Sequence, residues 1–169
     1  LYKRLPYNPV TDFAPVALFA EQPMVLVTRP DFPANTLPEF IAYVKANAAK
    51  LQYGSAGVGS TTHLSCALLN AAAGVDVTHV PYRGGGPAMQ DLIAGHVPVV
   101  FDGLGSSASP VRAGQLRALA VAVPKRVPAV PDLPTAAEAG RAGHAESTWD
   151  ALFAPQNQRV PYVVRRVKG

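Results

Sequence analysis

The sequence predicts an α/β domain built on a mostly parallel sheet. Short apolar segments alternate with amphipathic helical segments between residues 24 and 123, which is typical of strands joined by crossover helices. Several apolar segments show no polar alternation, as expected when both faces of a sheet are covered. Apolar residues make up 49% of the 169 residues and charged residues only 15%, so the chain can bury a core of ordinary size.

The predicted strands are short apolar segments bounded by turn residues. They cover residues 15–19, 24–28, 51–54, 77–80, 97–101, 116–123 and 147–153. Trp149, in the last segment, is predicted to be a core residue.

The first predicted helix begins at a capping box formed by Thr36 and Glu39. A single apolar stripe follows on one helical face, made of Leu37, Phe40, Ile41, Val44 and Ala48.

Three further helices follow. The second is predicted from Ser60 to Gly74, with Leu64, Ala67, Leu68 and Ala71 facing inward, and the third from Gly86 to Gly95, burying Met89, Leu92 and Ile93. The fourth covers residues 106–112. A proline-rich connector, residues 124–134, leads to another capping box at Thr135–Glu138, which Gly140 ends.

Two glycine-rich turns lie between a predicted strand and a predicted helix. The first is Gly54-Ser-Ala-Gly-Val-Gly-Ser-Thr-Thr-His63, and the second is Pro81-Tyr-Arg-Gly-Gly-Gly-Pro87. A helix N-terminus presents unpaired N–H groups and a partial positive charge. Two of them facing one space predict an anion site that needs no catalytic residue. The alternative is that the glycines only turn the chain tightly.

Polar side chains near these turns are candidate ligand groups. Ser55, Ser60 and Thr61 supply hydroxyls, and Arg83, beside Tyr82 and Gly84, could pair with a carboxylate. Asp102 ends a predicted strand, where α/β proteins place ligands. A solvated cation at Arg83 and a helix cap at Asp102 are the simpler interpretations.

Other site classes fit poorly. Gly59 is followed by Ser60 rather than the lysine of a phosphate-binding loop, and Thr62 replaces the third glycine of a dinucleotide fingerprint. A serine hydrolase would need Ser55 with His63 and Asp91 or Asp102, a triad that the spacing does not support.

Metal and nucleic-acid binding are not predicted. The four histidines lack metal-ligand spacing, so we expect neither a metal nor a cofactor. Cys66 is predicted to be a small buried hydrophobe. The net charge of +4 is spread without aromatic interleaving, which argues against a nucleic-acid interface.

Six stretches, in order, closely resemble one family between residues 7 and 155. They are Val10–Val16, Tyr53–Ser60, His79–Gly85, Asp91–Gly95, Arg112–Val121 and Pro131–Thr135. The family is the Bug-type (Bordetella uptake gene), TctC-like extracytoplasmic solute receptors of tripartite tricarboxylate transporters.

The resemblance implies a periplasmic binding protein of type II fold, with two α/β lobes, that captures a small carboxylate, amino acid or aromatic acid for a membrane permease. It implies that backbone N–H groups of Ser55, Ala56, Gly57, Gly59 and Ser60 contact a ligand carboxylate, and that Asp102 lies near the cleft. It also implies a chain truncated at both ends. Residues 24–123 are expected to form a nearly complete second lobe, and residues 1–23 and 124–169 incomplete parts of the first.

Three functional hypotheses remain at this stage. The first is a solute-binding protein without catalysis, the second a small α/β enzyme using Ser55 or Ser60, and the third a folded remnant that binds nothing. Missing first-lobe strands would expose apolar sheet surface, so self-association is expected. No signal peptide is recognised, because no apolar segment follows Leu1–Arg4.

Overall fold

The computed structural model of the chain describes residues 4–141 and 145–156. Over those residues the elements, in chain order, are β1 (Phe13–Thr28), α1 (Leu37–Asn47), a short 3₁₀ helix (Ala48–Lys50), β2 (Gln52–Ser55), α2 (Thr61–Ala73), β3 (Thr78–Pro81), α3 (Gly85–Ala94), β4 (Val99–Gly103), α4 (Leu104–Arg112), β5 (Arg117–Val121) and β6 (Ser147–Pro155).

The strands form one mixed sheet in the order β3-β2-β4-β1-β5, with β6 also pairing with β1. β2 is parallel to both β3 and β4, with Gln52 opposite Thr78 and Tyr53 opposite Val99. β1 is antiparallel to β4 and to β5. Strands β2 to β5 therefore share one direction, which confirms the α/β class, and β1 runs against them.

Two apolar layers cover the two faces of the sheet, and alternate side chains of β1 pack into each of them. Met24 and Leu26 pack into the cluster that holds the buried faces of α1 and α2. Val25 and Val27 pack into the cluster on the other face, with α3 and α4. All four side chains are buried, which accounts for the lack of polar alternation in this segment.

Helix α1 matches its prediction. The Thr36 hydroxyl accepts from the Glu39 N–H at 3.3 Å, and the Glu39 carboxylate accepts from the Asn35 N–H at 2.7 Å. Leu37, Phe40, Ile41 and Val44 are buried.

Helix α2 has the predicted ends, because Ser60 caps it and Gly74 follows at φ +67°, but its predicted inward face is wrong. Leu64 is 54% exposed and Leu68 is 46% exposed. The buried face instead carries Thr62, Ser65, Cys66, Leu69 and Ala73. Both stripes have helical spacing, so the periodicity could not choose between them.

Two other burial predictions also fail. Ile93 is 42% exposed on α3, although Met89 and Leu92 are buried as expected. Trp149 is 59% exposed. Cys66 is buried as predicted, and burial raises the pKa of its thiol well above its usual range.

The chain divides into two compact units. One is Gln22–Thr148, and the other comprises the described parts of Leu1–Glu21 and Trp149–Gly169. The larger unit includes residues 124–141 and 145–148, which the sequence analysis assigned to the other lobe. Here the backbone of Val121 bonds to that of Pro134 and Ala136, and the Ala122 carbonyl accepts from Glu146. Residues 1–3, 142–144 and 157–169 lie outside the described residues, and the assignment of the units to two lobes stays a prediction.

Candidate functional site

The candidate site lies at one edge of the sheet, where β2, β3 and β4 end together because they are parallel. α2 and α3 begin only a few residues after β2 and β3, and α4 follows β4 directly. The turns touch one another. The Tyr82 N–H donates to the Ser55 carbonyl at 2.9 Å, and a Cβ on Gly85 would lie 3.4 Å from Asp102 Oδ1. The two glycine-rich turns that precede α2 and α3 are therefore in contact, and their convergence on one ligand site stays a prediction.

The turn from Ser55 to Ser60, called the serine-glycine turn below, depends on two glycines in left-handed backbone. Gly57 has φ +123° and Gly59 has φ +82°, conformations that other residues adopt only with strain. A Cβ on Gly57 would also lie 3.2 Å from the Tyr82 carbonyl oxygen. The tight turn thus allows the two loops to approach each other.

Most N–H groups of this turn have acceptors within the protein. The Ala56 N–H donates to Thr62 Oγ1 at 2.8 Å, and the Gly57 N–H to Ser55 Oγ at 3.1 Å. The Gly59 N–H donates to His63 Nδ1 at 3.1 Å. The Ser60 N–H bonds to the Gly57 carbonyl at 3.2 Å. Open donors are predicted here from the sequence, and this prediction is wrong for these four groups, because their acceptors come into reach only once the turn is folded.

Three stacked rings lie beside the turn. The His79 ring stacks on Tyr53 with centroids 4.9 Å apart, and His63 stacks on His79 at 4.1 Å. His79 Nε2 lies 2.6 Å from Ser55 Oγ. Burial, followed by the neighbouring His63, lowers the pKa of His79, and burial is also the main cause that raises the pKa of Tyr53 to about 12.

The two candidate side chains of the second turn, Tyr82 and Arg83, lie in different surroundings. The Tyr82 hydroxyl donates to Asp91 Oδ2 at 2.7 Å on α3, and burial together with this bond raises the pKa of Tyr82 to about 12. Arg83 is exposed, as expected for a solvated cation in a loop. Gly84 precedes α3 at φ +121°.

Asp102 is buried at the end of β4. Its Oδ2 accepts from the hydroxyls of Ser106 at 2.6 Å and Ser107 at 2.8 Å. Its carboxylate thus lies over the first turn of α4, where the helix dipole favours negative charge, although the N-cap residue itself is Gly103.

A serine triad of the expected composition is not present. His79, rather than His63, contacts Ser55. Asp91 binds Tyr82 and His96, while Asp102 binds two serines. Ser55 is fully buried, so its hydroxyl is a poorly placed nucleophile.

Residues 4–141 and 145–156 offer no other recognisable type of site beside these turns. Within it, no three His, Cys, Asp or Glu side chains cluster as a metal site, and none of its helices has the length and apolarity to cross a bilayer. An open groove of about 820 Å³ lies elsewhere, between the start of α1, β5 and the proline-rich connector.

The chain matches a family model along its whole length. The model is described as tripartite tricarboxylate transporter family receptor, and it matches residues 1–169. The chain spans about half the length of the curated relatives it matches.

Three solved structures are similar to this chain. Rpa4515 of R. palustris with adipate has a TM-score of 0.94 at 36% identity, and the match covers 98% of this chain and 55% of that one. MatC (Rpa3494) from Rhodopseudomonas palustris with bound malate has 0.91 at 41%, covering 98% and 56%. Periplasmic binding protein BugD has 0.94 at 39%, covering 99% and 56%. The binding-protein fold is thus confirmed for the half that this chain spans.

Proposed function

The chain belongs to the tripartite tricarboxylate transporter receptor family, and from this premise we propose that it binds a small carboxylate at the edge formed by β2, β3 and β4. The observation that carries the proposal is the contact between the two turns that lead into α2 and α3, since helix N-termini favour an anion. The malate and adipate bound by two similar proteins supply the ligand class. We further propose that the whole protein acts in the periplasm and delivers its ligand to a membrane permease.

The proposed ligand-binding residues are those of the two turns together with the strand end beside them. They are Ser55, Ala56, Gly57, Gly59, Ser60, Thr61, Tyr82, Arg83, Gly84 and Asp102. Because most of the turn amides are capped, we propose that the caps hold the shape of the turn and that the ligand uses hydroxyls and the exposed Arg83. Asp102, which is already bound to two hydroxyls, would serve to orient an amino or hydroxyl group of the ligand.

Isothermal titration calorimetry of the 169-residue chain with malate, adipate and a panel of monocarboxylates and amino acids tests this proposal. We expect saturable binding, and Arg83→Ala should weaken it roughly tenfold if a charge-assisted bond is lost. Lys45→Ala removes an exposed cation from α1 and should leave affinity unchanged. Absence of binding across the panel would reject the proposal for this chain and favour the folded remnant.

A matched glycine pair tests whether the shape of the turn matters. Gly57→Ala adds a Cβ 3.2 Å from the Tyr82 carbonyl at φ +123°, so it should distort the serine-glycine turn. Gly74→Ala is strained at φ +67° but meets no atom within 4 Å. We expect both variants to lose stability and only Gly57→Ala to lose malate affinity; equal affinities would show that the turn does not bind the ligand.

The rival enzymatic function rests on the 2.6 Å contact between Ser55 and His79. We propose that this contact is structural, because Ser55 is fully buried and the contact lies within a ring stack. Labelling of Ser55 by an acyl-phosphonate probe, lost in Ser55→Ala, would contradict this assignment.

Self-association is also proposed. Leu18, Phe19, Trp149 and Phe153 are large apolar side chains that remain exposed in the smaller unit, and such patches favour association. Gel filtration at low micromolar concentration should show a species larger than a monomer. A stable monomer would contradict the proposal.

A further inference from the structure

The start of α2 carries a reciprocal pair of hydrogen bonds in which a histidine takes the usual place of a carboxylate. The Ser60 hydroxyl accepts from the His63 N–H at 3.3 Å. In return, His63 Nδ1 accepts from the Gly59 N–H at 3.1 Å. In an ordinary capping box a glutamate or glutamine at this position accepts from the N–H of the N-cap residue itself. Here the imidazole accepts from the residue before the N-cap, and the Ser60 N–H bonds to the Gly57 carbonyl.

The hydrogen bond from Gly59 determines which nitrogen of the imidazole carries the proton. Because an N–H points at Nδ1, that nitrogen must be bare, so the neutral ring carries its proton on Nε2. A second proton would have to go to Nδ1 and would face the Gly59 N–H, which converts the acceptor into a donor. The hydrogen bond from Gly59 is therefore accepted by the lone pair of Nδ1.

Two rings from neighbouring strands pack around the imidazole of His63. His79 from β3 stacks on His63 with ring centroids 4.1 Å apart. The Tyr53 ring from β2 stacks on His79 at 4.9 Å and lies 6.4 Å from His63. These contacts hold the imidazole in place beside the serine-glycine turn.

We propose that His63 is a positioning residue for the serine-glycine turn and that its neutral imidazole holds Gly59 in the conformation that binds a carboxylate. The role in ligand binding rests on the proposed function. The capping role can be measured without any ligand, so the two can fail separately.

The first test is amide hydrogen exchange of Gly59 in the 169-residue chain, corrected for intrinsic rate and followed by NMR. His63→Leu should lower the protection of Gly59 roughly tenfold, whereas His63→Asn, whose amide oxygen can occupy the place of Nδ1, should retain it within about twofold. The Gly95 amide, bonded to the Leu92 carbonyl at 3.2 Å, is the internal control for folding. Equal Gly59 protection in the wild type and His63→Leu would overturn the proposal.

Malate affinity then tests the link to function. His63→Leu should weaken binding roughly tenfold, and His63→Asn should restore it. If His63→Leu lowers the protection of Gly59 but leaves malate affinity unchanged, His63 only caps the turn and its role in binding is rejected. A wild-type chain that binds no carboxylate would refute the proposed function while leaving the exchange experiment decisive for the cap.

Discussion

Replacing Thr62 with valine should expose how much of the serine-glycine turn is held by a single hydroxyl. Thr62 Oγ1 accepts from the Ala56 N–H at 2.8 Å and contacts Ser60 Oγ at 2.9 Å. Valine keeps the volume and the β-branching of threonine, so packing on α2 should change little. The variant instead removes the acceptor of the Ala56 N–H, which the buried side chain of Thr62 supplies in the wild type.

The expected loss in free energy of unfolding follows from these two contacts. A net hydrogen bond contributes about 0.5–1.5 kcal/mol, and a donor left unpaired in a buried place costs about 1–3 kcal/mol. Since the Ala56 to Thr62 bond is only partly buried, the lower half of the second range applies. We expect Thr62→Val to lower the free energy of unfolding by about 1–2 kcal/mol and the melting temperature by about 2–8 °C for a chain of this size.

Urea denaturation followed by circular dichroism measures this difference, and Thr61→Val is the matched control. The Thr61 hydroxyl has only a 3.4 Å contact with Thr148, so its loss should stay within about 0.5 kcal/mol. If the two variants unfold at the same urea concentration with equal slopes, the Thr62 hydroxyl does not support the turn and the reasoning fails.

Four further predictions concern stability. Leu92→Ala should destabilise the protein by about 2–5 kcal/mol in denaturation experiments, because Leu92 is fully buried and leaves a cavity. Gly54→Ala should cost about 1–3 kcal/mol by overpacking, since its Cβ would lie 3.1 Å from Val100 Cγ2; stability equal to the wild type would show that the loops can relax. Thr36→Ala should cost about 0.5–2 kcal/mol in the same assay through loss of the α1 cap. Finally, the pKa of His79 is lowered from 6.5 in the folded protein, so the unfolded chain binds more protons and the free energy of unfolding should fall as the pH drops below about 6.5. His79→Gln should flatten that part of the pH–stability curve. An unchanged slope would count against burial of a neutral ring.

Local signals in the sequence were sufficient for the ends of α1 and α2 and for the glycine-rich turns. They were wrong for α4, which begins at Leu104 rather than at residue 106, and for Thr135–Glu138, which begins no helix. The capping box at Thr36 and the glycine at position 74 act through neighbouring backbone groups, so they mark α1 and α2 without knowledge of the fold. Gly57 and Gly59 likewise indicate a tight turn. The order of strands and helices followed from alternation of apolar segments, which is also a local property.

Properties that depend on contacts between distant segments could not be read in this way. The inward face of α2 was decided by docking against the sheet through Cys66 and Leu69, since Leu64 and Leu68 have equally helical spacing. The partner of Ser55 proved to be His79, 24 residues away, because parallel pairing places β3 beside β2.

The sequence by itself determined the α/β class, the ends of α1 and α2 and the glycine turns, because each depends on residues within a few positions of one another. Only the tertiary structure decided that β1 runs unbroken from Phe13 to Thr28, that side chains cap the turn amides, that two imidazoles stack beside them and that the two glycine turns contact each other. These features are set by strand order and register, which determine the neighbours of each turn in space, and neither is encoded at any single position of the chain.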